Sequence, residues 1–180
     1  VSSQREYRRY YPSGEVMAHV LGVTNVDDHG QEGLELAFDD WLAGRPGAER
    51  VIRDRLGRTV EDVELALEPK PGRDITLSID RRIQYLAYRE LKSAIIEHHA
   101  SSGSMVILDV ASGEILAMVN QPSFNPNAHA ADPAYRRNRA LTDVVEPGST
   151  MKAFTIATAL ESGKWTADSK VDTSPGYYQI

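Results

Sequence analysis

The chain has 180 residues, no cysteine, and a formal net charge of −6 from 26 acidic and 20 basic side chains. This length allows one domain or two small ones, and a hydrophobic fraction of 41% is enough for a packed core. The acidic balance argues against a nucleic-acid-binding domain, and the lack of cysteine excludes a disulfide framework and a cysteine-ligated metal. No apolar run approaches the length of a membrane span. Since the chain starts at Val1 and ends without a tapering tail, we expect an excised piece of a longer protein.

The first seventy residues are predicted to form a β-rich module that contains one helix. Residues 13–26 alternate weakly between apolar and polar types, which favours strands. Residues 33–42 carry their apolar side chains mostly on one side at helical spacing. Residues 51–55 and 58–65 are predicted to be two strands that are joined by a Leu-Gly turn.

Residues 68–74 contain two prolines and a glycine, which is typical of a linker. After this linker we predict a short strand at 75–79 and a long helix at about 81–98, with Asp80 as its N-cap. The predicted apolar face of this helix consists of Ile83, Leu86, Ala87, Leu91, Ala94 and Ile95.

The last eighty residues are predicted to begin with a hairpin of two apolar strands, 104–109 and 114–119. A long irregular stretch follows at 120–147, and loops of this length are usually functional or mobile. A helix at about 149–161 then ends before Gly163.

The segment Glu146-Pro-Gly-Ser149-Thr-Met-Lys152 places a serine hydroxyl and a lysine amine three residues apart, on one face of a helix. A nucleophile at a helix start faces free backbone N–H groups, and an adjacent amine can take its proton. However, average composition gives roughly one chance S-x-x-K match in a chain of this length. The motif alone is therefore equally consistent with a helix-capping serine.

The remaining candidate residues favour ordinary structural roles. Adjacent histidines, and isolated ones, lack the i, i+4 spacing of helical zinc ligands, and we expect neither a metal nor a cofactor. These histidines are His19, His29, His98, His99 and His129. The acidic pairs 27–28 and 39–40 are interpreted as turn and helix-face residues, and the S-x-N sequence at 123–125 as a loop. Two basic clusters, Arg5, Arg8 and Arg9, and Arg136, Arg137 and Arg139, are interpreted as solvated faces rather than phosphate or membrane sites.

Several long segments resemble one family in the right order. The segments 9–14, 18–22, 33–44 and 53–58 resemble its N-terminal module, 104–118 resembles its first catalytic strands, and 138–152 resembles the approach to its active serine. On these residues the chain is identified as a member of the class B penicillin-binding proteins, and it is most similar to their cell-division, penicillin-binding protein 3-like group. S-x-x-K is the first signature of these serine enzymes.

The resemblance implies a periplasmic D,D-transpeptidase that cross-links peptidoglycan stem peptides through an acyl-serine intermediate and is acylated by β-lactams. Ser149 would be the nucleophile, and Lys152 would accept its proton provided that burial keeps the amine neutral. The Ser149 N–H would supply half of the oxyanion hole. The parent protein would be anchored to the inner membrane by a segment absent here and would contact membrane proteins of the division machinery.

The expected fold class is α+β, with a pedestal (dimerisation) module at 1–70 and the incomplete start of a transpeptidase domain at 71–180. Its helices would pack on an antiparallel sheet. The S-x-N and K-T-G motifs that should follow Lys152 are missing, so we expect the fragment itself to be inactive. Uncovered apolar faces would favour self-association through an exposed sheet edge.

Two alternatives stay open beside the enzyme. In one, the useful part of this chain is the non-catalytic pedestal, which binds partner proteins. In the other, the chain is a β-lactam sensor or serine β-lactamase that shares S-x-x-K, although such proteins do not resemble the N-terminal stretch.

Overall fold

The computed structural model describes residues 8–57, 59–128 and 132–177. Contacts divide the chain into two compact units, residues 1–143 and 144–180. The helices are α1 (Ala18–Leu21), α2 (Gly33–Ala37), α3 (Asp39–Leu42), α4 (Arg81–Glu97), α5 (Arg139–Thr142) and α6 (Met151–Glu161). The strands are β1 (Ala48–Arg53), β2 (Thr59–Leu67), β3 (Gly103–Leu108) and β4 (Ile115–Gln121). Short 3-10 turns lie at Gly14–Val16, Pro133–Tyr135 and Gly148–Thr150.

The first unit contains two separate antiparallel hairpins, β1–β2 and β3–β4. Both agree with the predicted strand pairs. The turn of the first hairpin is fixed at Asp54, whose carbonyl accepts from Gly57 N–H at 3.0 Å. Residue 58, which was predicted to start the second strand, lies outside the described residues. The mixture of helices and antiparallel sheet confirms the α+β fold class.

The core of the first unit lies between α4 and the β3–β4 hairpin. It consists of Ala87, Tyr88, Leu91, Ala117 and Val119. Partly buried side chains extend this core, namely Val16, Ile83, Ile95, Met105 and Ile107. On β3 every second residue is half-buried, as the period of two requires for a strand with one covered face.

Helix α4 starts as predicted, because Asp80 caps it. The Asp80 carboxylate accepts hydrogen bonds from Arg82 N–H at 2.8 Å and from Ile83 N–H at 3.2 Å. These hydrogen bonds, with the one from the Arg82 side chain foremost, lower the pKa of Asp80. The cap therefore satisfies two of the backbone donors that every helix start leaves unpaired.

The buried face of α4 is rotated relative to the prediction. Leu86 is 48% exposed and Ala94 is also exposed, whereas Gln84 and Tyr88 are buried. The prediction left position 84 out of the buried face because glutamine is polar. Gln84 can nevertheless be buried, since its side-chain amide is hydrogen-bonded to backbone groups.

Two predicted strands are wrong. Residues 13–26 form the Gly14–Val16 turn and α1, since Met17, Ala18 and His19 are buried consecutively instead of alternately. Residues 75–79 form no strand. Ser78 Oγ instead donates to Ile115 O at 2.8 Å, and Asp80 N–H, directly after the segment, donates to Leu116 O at 3.0 Å. These isolated hydrogen bonds, rather than a strand ladder, connect this part of the chain to β4.

Candidate functional site

The S-x-x-K segment begins with a Pro-Gly turn. Pro147 has φ −72°, and Gly148 has φ +53°, which is a left-handed conformation that glycine adopts without steric cost. Thr150 N–H donates to Pro147 O at 3.2 Å, which closes the 3-10 turn. Ser149 lies in this turn and Lys152 is the second residue of α6. The predicted start of the helix is thus correct, with one 3-10 turn before it.

The serine does not act as a helix cap in this structure. The N-cap position of α6 belongs to Thr150, and no side chain caps α6 or the turn that precedes it. Local side-chain bonds are made instead by Thr155 and Thr158, which donate to carbonyls four residues earlier, and by Ser162, which donates to Ala159 O. Ser149 therefore does not have the helix-capping role that the sequence left open for it.

Helix α6 carries an apolar surface that the second unit does not bury. No residue of α6 is buried. Phe154 is 64% exposed and Ile156 is 59% exposed. A helix that is apolar on most of its circumference is usually a core helix. Ser149 and Lys152 are exposed as well, so the described residues supply no enclosed site around them.

Ion pairs order the end of the first unit. The Asp143 carboxylate lies 3.0 Å from Arg137 Nη2 and 3.0 Å from Arg139 Nη1. Partial burial opposes the ionised form, yet hydrogen bonds from Arg139 and Thr142 and the charges of both arginines hold the pKa of Asp143 below its usual value. Arg137 and Arg139, two members of the second basic cluster, therefore hold the residue that follows α5 in place.

The other candidates also have structural partners. Asp39 accepts from Gly30 N–H at 2.8 Å and lies 3.4 Å from His29 Nδ1, and the Gly30 bond lowers the pKa of Asp39. Ser123 Oγ donates to Glu15 O at 2.9 Å, so the 123–125 sequence is a loop contact.

His98 and His99 are exposed at the end of α4. His129 and Arg5 lie outside the described residues. Within the described ranges, no group of three acidic or histidine side chains is placed to hold a metal.

The sequence did not reveal two buried amides in the first unit, Gln84 and Asn120, or the half-buried Asn138 that bonds to Asn120. Gln84 and Asn120 are each 1% exposed. Gln84 bonds to Val16 O at 2.7 Å, and its amide pairs with both backbone groups of Met118. The available signal was a polar residue directly after an apolar strand run, at Asn120.

Comparisons with protein families cover most of the chain. Residues 1–77 match the model of the penicillin-binding protein dimerisation domain. Residues 103–180 match the model of the penicillin-binding protein transpeptidase domain, and this second match contains Ser149 and Lys152.

Individual relatives agree with both matches. The chain is 49% identical over 173 residues to the peptidoglycan D,D-transpeptidase FtsI of Escherichia coli, covering 96% of this chain and 29% of the relative. It is 49% identical over 175 residues to the probable peptidoglycan D,D-transpeptidase PenA of Neisseria meningitidis, covering 96% and 30%. A crystal structure of penicillin-binding protein 3 from Mycobacterium tuberculosis in complex with aztreonam is similar with a TM-score of 0.71 and 28% identity, over 90% of this chain and 33% of that one.

The fold and these matches define a chain in which a dimerisation segment precedes the start of a serine transpeptidase domain. The chain belongs to the penicillin-binding proteins. It spans about 30% of the length of the curated relatives that it matches. Among the described residues, no helix has both the length and the apolar character needed to cross a bilayer.

Proposed function

We propose that the chain is part of a peptidoglycan D,D-transpeptidase that acts in septal cell-wall synthesis and is acylated by β-lactams. The observation that carries this proposal is the position of Ser149 and Lys152, which stand at a helix start inside the segment that matches the transpeptidase domain. Relatives at 49% identity are named as D,D-transpeptidases.

In the proposed reaction, Ser149 Oγ attacks the carbonyl carbon of the penultimate D-alanine of a stem peptide. The serine proton passes to Lys152 and then to the departing amine, and the terminal D-alanine leaves. The amine of a neighbouring stem peptide then attacks the acyl-serine, which forms the cross-link and restores the Ser149 hydroxyl. The Ser149 N–H supports the oxyanion in both steps.

The same proposal assigns no activity to these 180 residues alone. A lysine amine serves as a base only where its surroundings disfavour the charged form, and Lys152 is exposed in the described structure. The required enclosure would come from the part of the relatives' length that this chain lacks. We further propose that the enzyme is periplasmic and anchored to the inner membrane.

Labelling with a fluorescent penicillin tests the proposal. In the longer protein we expect one label per chain, complete loss in Ser149→Ala, and no loss in Ser162→Ala, which changes the serine at the C-cap of α6. Intact mass should show one added penicillin. A longer protein that is not labelled, or that remains labelled in Ser149→Ala, overturns the assignment. Stoichiometric labelling of the 180-residue chain would refute its proposed inactivity.

A second candidate function rests on the match to a dimerisation domain at residues 1–77. We propose a pedestal at 1–70, followed by transpeptidase sequence at 71–180, in which the pedestal binds division proteins or a second copy of the chain. Sedimentation at high concentration is expected to show self-association of the 180-residue chain. A strict monomer would count against the second copy, and pull-down with the 180-residue chain separately tests the partner proteins.

A further inference from the structure

An open, mostly apolar cleft lies in the first unit, between α2, the segment at 77–79, the start of β4 and α5. Its volume is about 660 Å³, which lies within the range of about 300–1,000 Å³ that is typical of small-molecule sites. Two of its apolar side chains, Leu36 and Leu141, are 55% and 69% exposed, so the cleft is accessible from solvent. Other apolar side chains of its wall are Leu34, Leu77, Ile79, Ile115 and Met118. We call this feature the apolar cleft.

A second, polar pocket adjoins the apolar cleft. Its volume is about 500 Å³, and the side chains of Gln31 and Arg136 belong to the walls of both the pocket and the cleft. Arg8 and Arg9 also line the polar pocket. The pocket therefore brings together residues from both basic clusters of the sequence, which lie far apart along the chain.

The charges around the polar pocket favour an anion. Among the described residues that line it, three are arginines and one, Asp28, is acidic. Arg9 is matched by Glu35 at 3.0 Å, but the other two arginines still outnumber the acid. Arg8 Nη2 donates to Asn127 O at 3.0 Å, which holds its guanidinium at the pocket. Arginine suits phosphate and carboxylate groups, because its planar guanidinium can bind two of their oxygens at once.

The acidic side chain nearest to this arrangement, Glu32, lines the apolar cleft and not the polar pocket. Burial raises the pKa of Glu32, and the positive charge of Arg136 opposes this rise. An anion in the polar pocket would therefore meet Arg136 from a side that Glu32 does not line. A ligand with one charged end and one apolar end would match the two adjoining spaces.

From this arrangement we propose that the first unit binds a single-chain amphipathic anion, with its alkyl chain in the apolar cleft and its phosphate or carboxylate group beside Arg136 in the polar pocket. Because the cleft is bounded by α2, β4 and α5, it favours one chain of a free amphiphile over the surface of a membrane. The inference does not depend on the proposed acyl-serine function.

Titration calorimetry with decyl phosphate tests the site in the 180-residue chain and in the longer protein, below the concentration at which the probe forms micelles. We expect one molecule to bind per chain. Inorganic phosphate should not bind measurably, and decanol should bind at least about tenfold more weakly, because it lacks the charge that arginine recognises. Octyl phosphate should bind about 15-fold more weakly than decyl phosphate, since each buried methylene contributes about fourfold in affinity.

Two substitutions address the headgroup and the alkyl chain separately. Arg136→Gln should weaken binding of decyl phosphate at least about tenfold through loss of a charge-assisted bond. Leu36→Asp should weaken it at least about tenfold by placing a charge in the apolar cleft. Since Leu36 is exposed, this second variant tests the site even if Arg136→Gln fails to fold. The controls Arg89→Gln and Phe38→Asp change exposed side chains outside both walls, and each should alter the affinity less than about twofold.

Several outcomes would overturn the site. They are a longer protein that does not bind decyl phosphate, equal affinity for the octyl and decyl probes, and equal weakening by Phe38→Asp or Arg89→Gln. If the protein binds only vesicles of anionic phospholipid, and Leu36→Asp does not weaken that binding, the arginines contact a membrane surface and the single-chain site is wrong. Labelling of Ser149 by penicillin is measured separately, so the acyl-serine function stands or fails independently of this site.

Discussion

Helices α4 and α6 are both apparent from the sequence, yet they differ in what surrounds them. Helix α4 buries Gln84, Ala87, Tyr88 and Leu91 in the first unit. Helix α6, in the second unit, buries no residue although its composition is more apolar. Hydrophobic content makes a helix suited to a core, but a core also requires a second surface within reach. Lys152 therefore lies on the helix that is not buried, and Ser149 lies in the 3-10 turn directly before that helix.

The two units also differ in the kind of contact that holds each of them together. The first unit is held together by long-range contacts, such as the bond of Tyr88 Oη to Glu15 and the 3.4 Å ion pair of Lys92 with Glu15. The second unit is defined mainly by local turns and helical bonds. We accordingly expect substitutions to affect stability strongly in the first unit and weakly in the second.

A pair of glycines tests this contrast with the largest expected effect. Gly22 has φ +78°, and a Cβ there would lie 1.7 Å from Glu32 O, whereas Gly163 has φ +66° with nothing within 4 Å. We expect Gly22→Ala to lower the free energy of unfolding by more than about 3 kcal/mol, from strain and backbone clash together. Gly163→Ala should cost about 1 kcal/mol from the left-handed conformation alone. Urea unfolding followed by circular dichroism measures both, and equal costs would contradict the contrast.

Two leucines test the same contrast through packing. Leu91 is 9% exposed in the core against Ala117 and Val119, and Leu160 on α6 is 44% exposed. Leu91→Ala should destabilise by about 3 kcal/mol, through lost burial and a cavity. Leu160→Ala should stay within about 0.5 kcal/mol, the usual range for surface positions. A cost at Leu160 close to that at Leu91 would show that α6 is buried in solution.

The buried amide on α4 gives a smaller effect. Replacement of Gln84 by leucine preserves volume but leaves the Val16 carbonyl and both Met118 backbone groups without this partner. We expect Gln84→Leu to cost about 2 kcal/mol, because unsatisfied buried polar groups are expensive. Gln31→Leu is the control, since the bonds of Gln31 Nε2 to described residues go to the nearby carbonyls of His29 and Gly30. If the two variants are equally stable, the hydrogen bonds of the Gln84 amide do not contribute to stability as their burial indicates.

Acidification should give the smallest and most specific effect. Burial lowers the pKa of His19 below its ordinary value of 6.5, so the unfolded chain binds this proton more readily than the folded one. Stability contributed by the neutral ring should be complete above about pH 6.5 and should decline as the pH falls toward the folded-state pKa. Unfolding measured between pH 7.5 and 5.5 should show this decline. His19→Gln should flatten it and His98→Gln should not, and an unchanged slope in His19→Gln would exclude His19 as its source.

Much of the local structure could be predicted from the sequence, because it depends on neighbouring residues. The Asp80 cap, the β3–β4 hairpin, and the helix that begins beside Ser149 follow from capping, alternation and turn chemistry. The errors occur where tertiary contacts outweigh local preference. Residues 13–26 look strand-like, but their packing against α4 and β4 selects a turn and a short helix.

The candidate site shows the same division. The proposed roles of Ser149 as nucleophile and Lys152 as base come from the sequence by itself, since S-x-x-K within a long family resemblance depends only on neighbours along the chain. Only the tertiary structure decided that the amides of Gln84 and Asn120 are buried and hydrogen-bonded to distant segments, and that α6 is left uncovered. The physical reason is that burial depends on which distant segments meet, and a polar side chain enters a core only when those segments supply its hydrogen-bond partners.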